Sequence, residues 1–345
     1  MLEIPGEYGS GSGTIVRLAT AFSSLTGKAI KITDIRARRP NPGLRHQHLE
    51  AVRTIGKLCS AKILGDQVGS KEIIFEPGKL KGGSFEVNIE TAGSIGLLAY
   101  AVLIPALFTK EKTVIHIKGG STASLWSPSV YYMENVLLPT LQKMGIEAKI
   151  EVLKHGFYPV GGGEVKFEIH PTKKISPLIL TEQGEIDSIE VLSIASSFLK
   201  NRNVAERQII GFQRIIKREK NLNAKNLYVE SQCPGSVLVA WAKTSKEYIL
   251  SGDCVGEEKK PAEVVGEEAG FKLKEEIRYG CTVGYYLSDQ LIPFLALAQG
   301  KSEIIVPEIT DHIKTNIWLC ENFFKSKFEI KEFGENFKII CYGKS

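Results

Sequence analysis

What most constrains this chain is a recurrence of short apolar periods in the order βαβαββ. Alternating apolar residues mark strands at 1–4, 30–35, 62–67 and 71–76, and 3.6-residue periods between them mark helices at 14–26 and 45–59. Ile15, Leu18, Ala19, Phe22 and Leu25 share one face of the first of these helices. The order returns as strand 85–90, helix 93–108, strand 113–118, helix 128–144 and strands 146–153 and 163–169. It returns again as strand 278–283, helix 286–299, strand 302–307, helix 312–324 and strands 327–332 and 336–342. A small sheet carrying two helices on one face leaves those helices half bare, so the three units are expected to pack their helical layers around a common core. The expected fold class is α+β.

Residues 184–275 interrupt the series with strand 186–195, a basic helix 203–220, strands 226–232, 236–243 and 247–251, and a helix around 261–275. The expected organisation is one large domain from 1–183 and 276–345, with 184–275 as a smaller inserted α/β domain. A chain of 345 residues has material for both.

Several function classes drop out. The longest apolar run, Leu97 to Phe108, is too short to span a bilayer, and no basic-then-apolar leader opens the chain, so no membrane role is expected. The six cysteines lie far apart, without CxxC pairs or histidines at zinc spacing, which points to a reducing, cytoplasmic setting and away from disulfides or a metal cluster.

A net charge of +5 is modest, but its distribution is not. From Ile35 to Leu49 stand Arg36, Arg38, Arg39, Arg45, His46 and His48, with no acidic side chain. Pro40, Pro42 and Gly43 fix a loop that ends where a helix begins, so guanidinium forks and a helix N-terminus are presented together, and both attract phosphate. A solvated basic loop is the plain alternative. Arg17, early in the first helix, is placed to join the same site. The glycine-rich GEYGSGSG (6–13) before that helix reads either as a phosphate cradle or as a tight turn, and the sequence leaves both open. His312 opens a helix after Asp311; by residue type alone it is an ordinary helix-start histidine.

Taken together, YGSGSGTIVR (8–17), IRARRPNPGLRHQHL (35–49), TAGS (91–94), HGFYPVGGG (155–163), YLSDQL (286–291) and TDHIKTN (310–316) resemble the RNA 3′-terminal phosphate cyclases over nearly the whole chain. The resemblance implies that His312 attacks the α-phosphorus of ATP, that AMP passes to an RNA 3′-phosphate, and that the ribose 2′-hydroxyl then closes a 2′,3′-cyclic end. It further implies phosphate or RNA contacts for Arg17, Arg36, Arg39, Arg45 and Gln47. Nucleotide contacts are implied for Tyr286, Leu287, Ser288, Asp289, Gln290, Tyr100 and Pro128, with Tyr286 stacking on adenine and Pro128 facing it. Asp289 is left to orient either the histidine or a metal. ATP and a divalent cation, Mg or Mn, are the implied cofactors, and RNA with a 3′-terminal phosphate the partner. The family usually has glutamate where this chain has Ser10, glutamine where it has Tyr100, and Asp or Asn where it has Thr122, so no metal ligand is assigned. Two alternatives stand beside this reading: a non-catalytic, RNA-binding assembly factor of the same fold, and an enolpyruvyl-transferase-like enzyme built from similar units.

Overall fold

A computed structural model describes residues 1–217 and 221–343, and three of its sheets have one strand order in common. Strands β1 (Leu2–Pro5), β2 (Ile30–Thr33), β3 (Lys62–Leu64) and β4 (Ile73–Glu76) pair as β1-β2-β4-β3, parallel at the first contact and antiparallel at the others. Strands β5 (Gly83–Ser94), β6 (Thr113–Ser121), β7 (Ala148–Lys154) and β8 (Glu164–Ile169) repeat that order and those senses.

The third sheet corrects one expectation. Its first strand is β9 (Ile179–Leu180), which lies before the interruption. The strand expected at 278–283 is instead a helix end and a turn. The sheet made by β10 (Ile186–Ser196), β11 (Leu222–Val229), β12 (Ser236–Thr244) and β13 (Ile249–Val255) follows, in the order β11-β10-β12-β13. Only then do β14 (Lys301–Val306), β15 (Lys327–Phe333) and β16 (Asn336–Tyr342) join β9, as β9-β14-β16-β15. The interruption therefore enters between the first strand of the third sheet and its first helix.

Helices α1 (Gly13–Thr26), α2 (His46–Cys59) and α3 (Ile95–Ala106) pack on one another. Ser12 caps α1 by accepting the Thr14 N–H, and Gly27, at φ +70°, ends it with its N–H on the Ser23 carbonyl. The helix expected at 128–144 is broken into α4 (Val130–Tyr132), a π-helical turn (Met133–Leu137) and α5 (Leu138–Gln142). Pro139, which has no N–H to give to the preceding turn, accounts for the loosened spacing.

Helix α6 (Val204–Ile215) covers most of the expected basic helix, of which 218–220 lie outside the described residues. Helix α7 (Ala262–Tyr279) runs past the expected boundary at 275, and Gly280, at φ +66°, stops it. Helices α8 (Tyr285–Leu297) and α9 (Asp311–Phe323) complete the chain's helical layer. Phe22 of α1 is fully buried, edge-on to Phe323 and Phe324 at 5.6 and 4.8 Å, and so joins the first unit to the last; burying such a ring contributes about 2–3 kcal/mol. A separate apolar cluster, including Val191, Phe212, Leu238, Val265 and Leu273, lies between β10–β13 and α6–α7.

Candidate functional site

A cleft of about 820 Å³ opens where α1, α3, α8 and the start of α9 converge. Arg17, Arg36, Arg39, Gln47, Tyr100, Pro128, Tyr286, Asp289, Gln290 and His312 all line it. The sequence had scattered these over nearly 300 positions. Leu287 and Ser288 are buried beneath the cleft, with Ser288 Oγ bonded to the Tyr285 carbonyl at 2.7 Å. Arg45 is exposed at the cap of α2, outside the cleft lining.

Arg17 is 8% exposed and donates to Thr14 Oγ1 at 3.3 Å. Burial lowers its pKa to about 10, against the pull of Tyr100 and Asp289. Arg36 bends back at φ +55° to donate to the carbonyls of Asn41 and Gly43 at 2.6 and 3.0 Å, which fastens the loop between them. Arg39 reaches the Ser10 carbonyl at 3.1 Å. Among the described residues, no carboxylate comes within ion-pair distance of these three guanidinium groups. Of the three only Arg17 is buried, Arg36 being half-buried and Arg39 exposed, and together they present unneutralised positive charge to the cleft.

His48, which the sequence showed only as one member of a basic run, proves to be a spacer in this wall. Its Nδ1 accepts the Arg45 N–H at 3.1 Å. Burial, then Arg17, Arg36 and Arg45, hold its pKa down to about 2, so the ring is neutral. At Gly13 a Cβ would come within 2.0 Å of His48 Nε2; only glycine lets α1 approach α2 this closely.

The two readings of GEYGSGSG are now separable. Tyr8 stacks on Trp318 at 4.0 Å, and the Ser10 N–H donates to Thr315 Oγ1 at 3.0 Å. Gly9, at φ +52°, has Thr315 Oγ1 where a Cβ would stand, at 2.3 Å. The Gly11 N–H goes to the Tyr8 carbonyl at 2.9 Å. The loop is thus chiefly a joint clamping the first unit to α9, with Ser12 and Gly13 lining the cleft.

That joint sets His312. It is the second residue of α9, whose first turn is capped by Thr310 Oγ1 accepting the Ile313 N–H at 3.1 Å. The half-exposed ring has Nδ1 4.0 Å from Asp289 Oδ2. Burial, Arg17 and Arg39 hold its pKa below 6.5 against Asp311, so the imidazole is neutral at pH 7. Asp289 is pushed by burial up to about 7. Asn316 donates to the Asp289 carbonyl at 2.8 Å and fixes α9 on α8. Tyr100 donates its hydroxyl to the Gln290 carbonyl at 2.9 Å, tying α3 to α8. Gln290 Oε1 and Asn316 Oδ1 are buried in this region without a hydrogen-bond partner.

As for a metal, no cluster of three or more His, Cys, Asp or Glu that could hold one is formed among the described residues. Ser10 Oγ lies 3.0 Å from Ser12 Oγ, and the two hydroxyls satisfy each other. Thr122 is fully buried and shares hydrogen bonds with Tyr131 and the Gly156 carbonyl.

The opposite wall was missed by sequence reasoning. It comes from β13 and α7, through Asp253, Lys260, Glu268 and Lys272. Lys260 bonds Glu268 at 2.6 Å and Glu257 at 3.3 Å. Lys272 donates to the Asp253 carbonyl at 2.7 Å and lies 5.2 Å from the centre of the Tyr286 ring. Behind them, the buried Glu276 of α7 accepts the Tyr285 N–H at 2.9 Å and the Ser251 N–H at 2.8 Å. It caps α8, whose own cap residue Gly284 has no side chain to do so. A Cβ on Gly284 would fall within 2.1 Å of that carboxylate. Nothing in the periodicity of α7 signals this, because the contact joins an inserted segment to its host.

Residues 8–330 match the family model described as RNA 3′-terminal phosphate cyclase. Proteins named RNA 3′-terminal phosphate cyclase are similar along almost the full length of the chain. That of Methanopyrus kandleri is 40% identical over 96% of this chain and 95% of its own. That of Pyrococcus abyssi is 42% identical over 96% and 95%, and that of Pyrococcus furiosus 43% identical over 96% and 95%.

Proposed function

The chain belongs to the RNA 3′-terminal phosphate cyclase family, and from that premise we propose that it uses ATP to convert an RNA 3′-phosphate into a 2′,3′-cyclic phosphodiester. His312 attacks the α-phosphorus of ATP and pyrophosphate leaves. The AMP passes from the imidazole to the RNA 3′-phosphate. The adjacent 2′-hydroxyl then attacks that phosphorus, forming the ring P–O bond and releasing AMP. The observation that carries this reading is a neutral, half-exposed imidazole in one cleft with Arg17 and Arg39. Nδ1 faces Asp289 at 4.0 Å, which favours Nε2 as the attacking nitrogen. Guanidinium groups without protein counter-ions stabilise charge on the transferring phosphate better than paired ones would. Arg36 and Gln47 border the same space.

Tyr286 and Pro128 supply flat surfaces for adenine, with Gln290 and Asn316 on the lining of the same cleft. A divalent cation, Mg or Mn, would neutralise phosphate charge; Asp289 lies 4.0 Å from His312, but no cluster of three or more His, Cys, Asp or Glu forms among the described residues, so the ion's ligands would be mainly phosphate oxygens and water. Six buried free cysteines support a cytoplasmic setting.

Incubation with α-labelled ATP and a divalent ion is expected to leave acid-labile label on the wild type and none on His312→Ala. A chase with 3′-phosphorylated RNA should release the label as AMP and yield a cyclic end; 3′-hydroxyl RNA should not. Equal label on both proteins overturns the nucleophile assignment. Label without any cyclic product overturns the cyclase reaction in favour of a different acceptor.

A further inference from the structure

Trp126 sits in the loop between β6 and α4 and is 96% exposed, whereas Trp241 and Trp318 are partly buried. An indole is usually well covered, and this one lies on the lining of the cleft that holds His312 and Arg39. Its backbone is at φ +57°, in the left-handed region that a bulky side chain rarely adopts. The loop is not slack: Ser124 and Ser127 share a hydroxyl hydrogen bond of 2.8 Å, Ser127 Oγ also bonds the Ser124 carbonyl at 3.0 Å, and Ser129 caps α4 by accepting the Tyr132 N–H at 3.1 Å. A braced loop therefore holds a large flat ring out into water at the mouth of an anion-binding cleft.

We propose that Trp126 is the stacking surface for the 3′-terminal nucleobase of the RNA. The assignment rests on the cyclase reading. When the terminal phosphate lies beside His312, the polymer must leave through the cleft mouth, and the first base it carries there needs a π-face. The adenine of ATP is the poorer occupant. Tyr286 is only 47% exposed and already has Lys272 against its ring, so it offers the more enclosed surface that a small nucleotide needs. Trp126 has both faces open, which suits a chain that continues outward. Stacking is indifferent to base identity, so this contact predicts little sequence preference at the RNA end.

Steady-state kinetics on an oligoribonucleotide 3′-phosphate, with either a normal or an abasic terminal nucleotide, tests the assignment. Trp126→Ala is expected to raise the RNA KM by roughly 5- to 150-fold, the range for loss of one stacked base. Trp126→Phe should restore most of it, and histidine adenylation without RNA should be unchanged in both. On the abasic substrate, wild type and Trp126→Ala should be equal. An unchanged RNA KM, an undiminished effect on the abasic substrate, or a parallel loss of RNA-free adenylation each overturns the proposal. Quenching of wild-type indole emission by the same RNA, lost in Trp126→Phe, reads the contact without turnover. If the wild type neither adenylates nor cyclises yet shows that quenching, the function falls and the stacking site stands.

Discussion

The two charged walls of the cleft are built on opposite principles. On the side of the first unit, Arg17, Arg36 and Arg39 donate to hydroxyl and carbonyl oxygens and have no carboxylate partner among the described residues. On the side of β13 and α7, Lys260 and Lys272 are matched by Glu268, Glu257 and Asp253 within the wall itself. A compensated wall holds its shape without a ligand; an uncompensated one lowers its own stability and gains it back on binding an anion. The count of basic residues says little here, while the pairing of each says which wall presents free positive charge to the cleft.

The sharpest way to break that contrast is Arg17→Met. We expect adenylation to fall about 10²- to 10³-fold, the scale for losing one group that stabilises transition-state charge, while stability to urea is unchanged or higher, since an uncompensated buried cation has gone. A large stability loss instead would mean that Arg17 is structural.

Glu276→Gln should do the reverse. It faces one of the Tyr285 and Ser251 N–H groups with an amide donor, at a cost on the order of 1–3 kcal/mol in urea unfolding. Glu276 and Asp289 are both raised by burial to about 7. Each then binds its proton more tightly folded than unfolded, so their contribution to stability is fullest below the ordinary carboxylate range and is lost as pH rises towards 7. Measured unfolding free energies between pH 5 and about 7 should lose part of that slope in Glu276→Gln and part in Asp289→Asn.

Gly9→Ala tests the joint that holds His312 against the arginine wall. The left-handed backbone and the contact with Thr315 should cost about 1–2 kcal/mol, read as a lowered thermal midpoint, together with slower adenylation. Arg39→Gln is a subtler probe: Arg39 lowers the His312 pKa, so its removal should move the acid limb of the adenylation rate to higher pH, and an unmoved limb would separate the two residues. The smallest effect is expected from Lys260→Met in the compensated wall, within about 1 kcal/mol of wild type by denaturation.

Much of the fold was legible. Helices α1, α2, α8 and α9 stand within a residue or two of their sequence-based bounds, because an amphipathic stripe and a cap are local properties. β9 was not legible. Two residues carry no period, and their partners Glu303 and Ile304 lie across the whole interruption. The stretch 278–283 reads as a strand from its apolar period, and Cys281, Thr282 and Val283 are buried, yet they form a turn in which the Thr282 and Val283 N–H groups both reach the Ile305 carbonyl. In the site, the acid-free arginine run was readable as an anion surface, but residue type could not tell Arg39, which lines the cleft, from Arg45, which does not.

By itself the sequence determined the α+β class and most of the helices, the arginine loop and a family resemblance that singled out His312. Tertiary structure alone decided that Gly9 and Gly13 serve close packing, that Arg17 has no carboxylate within ion-pair distance among the described residues, and that an inserted segment supplies both a cleft wall and the cap of α8. The reason is physical: helix stripes and turns depend on neighbours a few residues away, whereas burial, pairing and the resulting pKa of a charge depend on whatever the fold brings within a few ångströms, from anywhere in the chain.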